Sequence, residues 1–145
     1  MEEKKTEMLS ENFSLRELTR TNYEECQDEP GTDEKRNLAM LAQRVLQPLR
    51  DTWGDKLKVN SGYRSLLLNA HVRGAKNSYH LRGLAADLDC GTDAVKAMRL
   101  AMACKDMELP VVEAIVSKRG RQYWLHVALR EDDDRKNAVF SIKEY

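Results

Sequence analysis

The chain is poor in residues that would announce a chemistry outright. Its three cysteines, Cys26, Cys90 and Cys104, are odd in number and far apart. That pattern excludes a disulfide framework and a CxxC zinc site, and predicts buried, reduced thiols in a reducing compartment. Aromatic residues make up 6%, too few for a base-stacking platform. Acidic and basic residues balance, 24 against 24, so no charge excess argues for capture of nucleic acid or an anionic membrane. No apolar run approaches the ~18 residues of a membrane span. The opening "MEEKKTEMLSENF" lacks the apolar core of a signal peptide, which predicts a protein that is cytoplasmic as synthesised. Repeats, low-complexity tracts and Pro/Ser linkers are also missing. At 145 residues the expectation is one domain, 1–145, with 1–8 a flexible tail and no built-in partner chain: a monomer.

The segments that are present read as helices first and strands later. Ser14 with Glu17 three residues on suggests a capped short helix in "SLRELT". Tyr23 to Gly31 reads as a loop. Thr32 is placed as the cap of a longer helix whose apolar face is Leu38, Leu41, Val45, Leu49 and Trp53, bent or interrupted at Pro48 and ended by Gly54. "KLKVNS" alternates as a strand does, "LLLNAHVR" spans two helical turns up to Gly74, and "GLAADLDC" is a short buried strand. Thr92 is placed as the cap of a helix burying Val95, Met98 and Met102. "VVEAIVS" and "YWLHVALR" are strands joined through "KRGRQ", and the tail "EDDDRKNAVFSIKEY" ends in one more possible strand. The fold class expected is α+β, with N-terminal helices on a small, mostly antiparallel sheet.

Histidine is scarce as well: His71, His80 and His126. In "SYHLRGLAAD", His80 and Asp87 bracket a glycine and two alanines, and His126 falls mid-strand in "YWLHVAL". Two histidines and an aspartate can supply three ligands to a tetrahedral zinc and leave its fourth position open for chemistry. Spacing by itself does not bring the three together, and a histidine between apolar residues is more often a core or surface residue than a ligand.

The motifs resemble those of the zinc D-Ala-D-Ala carboxypeptidases and dipeptidases, a family that includes phage L-alanyl-D-glutamate endolysins. Its pattern S-x-H-x-x-G-x-A-x-D is met by Ser78, His80, Gly83, Ala85 and Asp87, and its W-x-H strand by Trp124 and His126. Upstream, "SGYRS" with Asn69 is similar to S-G-Y-R-S-x-x-x-N, and "LSENFSLRELT" and "VLQPLRD" are similar to the entry helices of the compact members, so the likeness runs from about Leu9 to Leu129. The resemblance implies zinc held by His80, Asp87 and His126. It also implies Arg64 on a substrate carboxylate or the attacked carbonyl, with Ser78 and Trp124 near the substrate. Asp89, on the strand face of Asp87, is either a partner for a ligand histidine or a solvated edge carboxylate. His71 has no counterpart in the pattern and reads as a surface helix residue. The implied function is hydrolysis of peptidoglycan stem peptides next to a D-amino acid, by an enzyme that reaches the wall on lysis if its origin is phage or prophage.

One part of the family pattern is not met. A zinc peptidase needs a general base as well as the ion. Family members carry an acidic residue three positions before the last histidine, here Tyr123, or a glutamate late in the preceding strand, here Ser117. Glu113 is the nearest substitute, on the face of Ile115 and Ser117 but ~13 Å along the strand from Ser117. Tyr123 can donate to a developing oxyanion but is a poor base. The alternative function is therefore a zinc-holding module without catalysis that binds wall peptides or a protein partner.

Overall fold

The structure, a computed structural model, describes residues 7–145. Of the expected tail, residues 1–6 lie outside the described residues. Glu7 and Met8 are engaged: the Glu7 carbonyl accepts from the Leu15 N–H at 2.8 Å, and Met8 bridges to Ser14.

The first helix, α1 (Leu15–Thr19), starts where Ser14 Oγ accepts from the Glu17 N–H, as its capping pattern predicts. The long amphipathic stretch forms α2 (Thr32–Leu41) and α3 (Gln47–Trp53), joined without a break by a π-helical turn, Ala42–Leu46. Gly31 rather than Thr32 is its N-cap. Pro48 lies inside this continuous run, as the second residue of α3, and the wider turn before it accommodates the missing amide donor and the ring. Leu38, Leu41, Val45 and Leu49 are fully buried, as their spacing predicts.

A five-stranded sheet follows, in the order β1-β2-β4-β3-β5. The strands are β1 (Val59–Ser61), β2 (Ala85–Asp89), β3 (Val111–Arg119), β4 (Gln122–Leu129) and β5 (Val139–Glu144). All neighbours are antiparallel except β3 and β5. The class is α+β, and the "KRGRQ" loop is the β3–β4 hairpin, with Gly120 at φ +60°.

Between β1 and β2 run α4 (Leu66–His71) and a 3-10 turn, Tyr79–Arg82, and between β2 and β3 runs α5 (Ala94–Asp106). Two expectations for α5 are corrected. Asp93, not Thr92, caps it, accepting from the Lys96 N–H at 3.0 Å. The buried face is Ala97, Leu100 and Cys104, whereas Val95, Met98 and Met102 are each about half exposed. Both sets have the same helical spacing, and the alanine-bearing face lets the helix approach the sheet closely. Leu125, Val127 and Leu129 of β4 meet it from below, with Ala114 and Val116 of β3. All three cysteines are buried and free, and burial pushes the Cys90 and Cys104 thiols up to about 11 and about 12.

Candidate metal centre and cleft

Strand pairing places the polar residues. With its core-facing side chains committed, β4 turns Trp124 and His126 to the opposite face. Asp87 of β2 stands across from His126, which stands across from Ile115 of β3. One row toward the hairpin are Asp89, Trp124 and Ser117; one row the other way are Ala85, Ala128 and Glu113. A bulge before Glu113 leaves both Val112 and Glu113 beside Ala128, and bulges of this kind re-aim side chains.

His80 arrives from outside the sheet, on the 3-10 turn. Ser78 Oγ accepts from the His80 N–H at 3.2 Å, and the His80 carbonyl accepts from the Arg64 N–H at 3.0 Å. Gly83 closes the turn at φ +71°, where a Cβ would stand 2.5 Å from the Glu34 carbonyl oxygen. The turn is thus clamped between α2 and the chain after β1, and the imidazole is 3% exposed.

Asp87 Oδ1 lies 3.3 Å from His80 Nε2 and 3.0 Å from His126 Nδ1. One donor atom from each residue falls within 4.8 Å of the other two. Two ligands of a tetrahedral zinc, each about 2.0–2.1 Å from it, stand about 3.3 Å apart. The remaining imidazole nitrogens are already in use. His80 Nδ1 is 2.7 Å from the Gly62 carbonyl oxygen, and His126 Nε2 is 2.9 Å from Glu113 Oε1. A carbonyl and a carboxylate can only accept, so each neutral ring places its single N–H there. Each ring then presents a lone pair to Asp87 Oδ1, an arrangement that needs a cation among the three atoms or an extra proton on each ring. The donor set therefore fits a divalent metal ion, with Gly62 and Glu113 fixing the ring orientations.

Without metal the electrostatics compensate with a proton on His126. Burial alone would lower the His126 pKa, but hydrogen bonds to Asp87 and Glu113 and their charges outweigh it and raise it to about 9. Burial would raise the Asp87 pKa, yet the charges and hydrogen bonds of His80 and His126 hold it well below the ordinary carboxylate range. Glu113 is also lowered, chiefly by its hydrogen bond to His126.

Arg64 borders this cluster, with its side chain 16% exposed. Nη2 lies 3.5 Å from Asp87 Oδ2, Nε donates to Ser61 Oγ at 3.2 Å, and Nη1 to Asn69 Oδ1 at 3.4 Å. The fit depends on Gly74, where a Cβ would fall 2.1 Å from Asn69 Oδ1 and 3.0 Å from Arg64 Nη1.

His80, Asp87, His126, Arg64, Glu113, Ser78 and Trp124 all line one cleft of about 910 Å³. Tyr123 is not among its lining residues: it packs against the hydrophobic core, on the β4 face opposite His126. Strand alternation already carried that signal, since Tyr123 and His126 are an odd number of residues apart. Ser117 lines the cleft but is fully buried, its hydroxyl donating to the Ile115 carbonyl at 3.3 Å. The Asp89 carboxylate accepts from the Gly91 N–H at 2.8 Å and closes a turn, so the partner of His80 is a main-chain carbonyl. Exposed His71 reaches the cleft's rim.

Residues 11–128, most of the chain, match the peptidase M15 family. This chain is a member of the peptidase M15 family. It is 37% identical over 91 residues to the zinc D-Ala-D-Ala carboxypeptidase of Streptomyces albus G, a stretch covering 62% of this chain and 36% of that relative. The chain thus spans about a third of the relative's length. The M15 match stops at the end of β4, so β5 lies beyond it. Sequence reasoning left β5 without a role, although Lys143 and Tyr145 also line the cleft. The alternation Val139, Ser141, Lys143, Tyr145 was the available signal.

Proposed function

We propose that this M15 metallopeptidase binds zinc through His80, Asp87 and His126 and hydrolyses peptidoglycan stem peptides at an amide next to a D-amino acid, as a D-Ala-D-Ala carboxypeptidase does. The observation that carries this reading is the convergence of three donor atoms whose neighbouring polar groups force lone pairs toward one point. A zinc ion bound there supplies a Lewis acid that polarises a carbonyl and acidifies a water.

The chain's own residues do the rest. Arg64 commits three of its five N–H donors to Ser61, Asn69 and Asp87, leaving two for a substrate carboxylate. Held so, a terminal carboxylate places the preceding amide over the Asp87–His126 row. Glu113 orients His126 through Oε1 and keeps Oε2 free. Among the described residues it is the one side-chain carboxylate besides Asp87 lining the cleft, and so takes up the proton that hydrolysis releases and returns it to the leaving amine. Ser78 supports His80 by capping its turn, and Trp124 forms a flat apolar wall beside the row.

No helix among the described residues is long and apolar enough to cross a membrane. A second reading, a zinc-holding module that binds wall peptides without cutting them, draws on the serine at 117 and the core-facing tyrosine at 123. The deciding experiment is a mass-spectrometric digest of purified peptidoglycan with zinc-loaded protein beside a chelated control. New stem-peptide fragments that disappear with chelator are expected. Intact wall across several wall types, with one zinc bound per chain, would replace the peptidase reading by the binding module.

A further inference from the structure

The cleft extends past the metal-binding row onto β5. Lys143 pairs with Ser117 in the parallel β3–β5 ladder, and Ser117 pairs with Trp124, so all three share the face of His126. Beyond them the Tyr145 N–H donates to the Lys118 carbonyl at 2.8 Å, and its ring stacks on Trp124 with centroids 5.4 Å apart and planes 26° apart. Two cations rest on that ring: Lys143 Nζ at 4.6 Å from its centroid and the Arg119 guanidinium at 5.5 Å. Both line the cleft, and among the described residues neither forms an ion pair. The Ser117 hydroxyl brings no charge to answer them.

Sheet order fixes where this wall stands. Arg64 follows β1 at one edge, β2 and β4 carry Asp87 and His126, and β5 is the other edge. The two cationic groups therefore flank the metal-binding row from opposite sides. One row along the strands and two strands across is about 12 Å between the Cα positions of His126 and Lys143. Less the reach of a lysine side chain, that leaves room for roughly two extended residues.

We infer that Lys143 and Arg119, seated on Tyr145, form a second anion subsite that selects peptides bearing a free carboxylate about two residues ahead of the residue whose carbonyl is attacked. A peptide with its terminal carboxylate at Arg64 runs its acyl side over Trp124 toward β5. This inference rests on the peptidase reading above, and it assigns the substrate class as a peptide anionic at two places. The strand that carries Lys143, β5, lies outside the stretch matched to the M15 family.

The test uses the zinc-loaded full chain and two peptides, acetyl-Glu-Ala-D-Ala-D-Ala and its Gln counterpart. Wild type should show a KM for the glutamyl peptide roughly tenfold lower at low salt, the scale of two partly exposed charge pairs, with the gap closing as salt rises. The double variant Lys143→Ala with Arg119→Ala should lose the discrimination while keeping kcat and its KM for the glutaminyl peptide. Equal KM values in wild type, or a preference that survives both substitutions, would overturn the subsite. If neither peptide is cut, calorimetric Kd values read the same discrimination. A carboxylate preference without cleavage would then overturn the peptidase reading alone, and no binding of either peptide would overturn the subsite.

Discussion

Glu113 has two assigned tasks, orienting His126 and handling a proton, and two substitutions separate them. Its Oε1 stands 2.9 Å from His126 Nε2, with the two side chains 27% and 17% exposed, so the contact is a largely desolvated hydrogen bond to an anion. Such a bond contributes about 1.5–3 kcal/mol. Loss of an outer partner of a ligand histidine typically weakens metal binding by about 10–100-fold. Glu113→Gln keeps an acceptor oxygen in place and loses only the charge and the capacity to hold a proton. Zinc affinity, measured by competition with a chromophoric chelator, should stay within roughly tenfold of wild type. The value of kcat should fall by about 10²–10⁴-fold, the worth of a general base or acid. Glu113→Ala should lose both, with zinc affinity down at the full 10–100-fold scale. A Gln variant with wild-type kcat would refute the proton-transfer role, and an Ala variant with wild-type zinc affinity would refute the orienting one.

Asp87→Ala removes the atom that faces both histidines, and metal analysis of the purified variant should find near-zero zinc; full occupancy would mean the ion sits elsewhere. Gly74→Ala drives a methyl into Asn69 and Arg64, so kcat/KM should drop on the order of 10²-fold with zinc content unchanged. In metal-free protein His126 has a folded pKa near 9, above its unfolded value of 6.5. Its contribution, roughly 3 kcal/mol at most, is complete below pH 6.5 and disappears as pH rises through about 9. The apo Tm should therefore fall across that window, while zinc affinity rises over it because binding displaces the proton. An apo Tm flat from pH 6.5 to 9.5 would contradict the hydrogen-bonded His126 cluster.

Much of the site was legible because its residues occupy fixed places in short periodic segments. The hairpin strand "YWLHVAL" assigns His126 to one face by alternation alone, and Gly83 marks the backbone turn that brings His80 back. What stayed hidden depends on contacts between distant segments. The partner of His80 is the carbonyl of Gly62, and no side-chain pattern reports a main-chain acceptor 18 residues away. The aim of Glu113 depends on a bulge in pairing with β4, a register that the β3 sequence does not contain. In α5 two faces carry the same apolar spacing, and only docking on the sheet decides that Ala97, Leu100 and Cys104 turn inward. The placement of Tyr123 in the site was a different failure: its parity within the strand already pointed it at the core.

His80 and His126 are held in ways that mutation can reach very differently. The Glu113 acceptor is written in one codon, and most changes there erase it. The Gly62 acceptor belongs to the main chain and needs no side chain, so it can be lost only by moving the backbone. One trigger lies at position 62 itself, where any Cβ would land 2.2 Å from the Leu18 carbonyl oxygen of α1, and another at Gly83, where a Cβ would meet the Glu34 carbonyl oxygen. The His80 anchor is therefore robust to most substitutions and fragile at two glycines, Gly62 and Gly83. The His126 anchor can be lost and regained by ordinary substitution, which makes it the side of this site most open to drift.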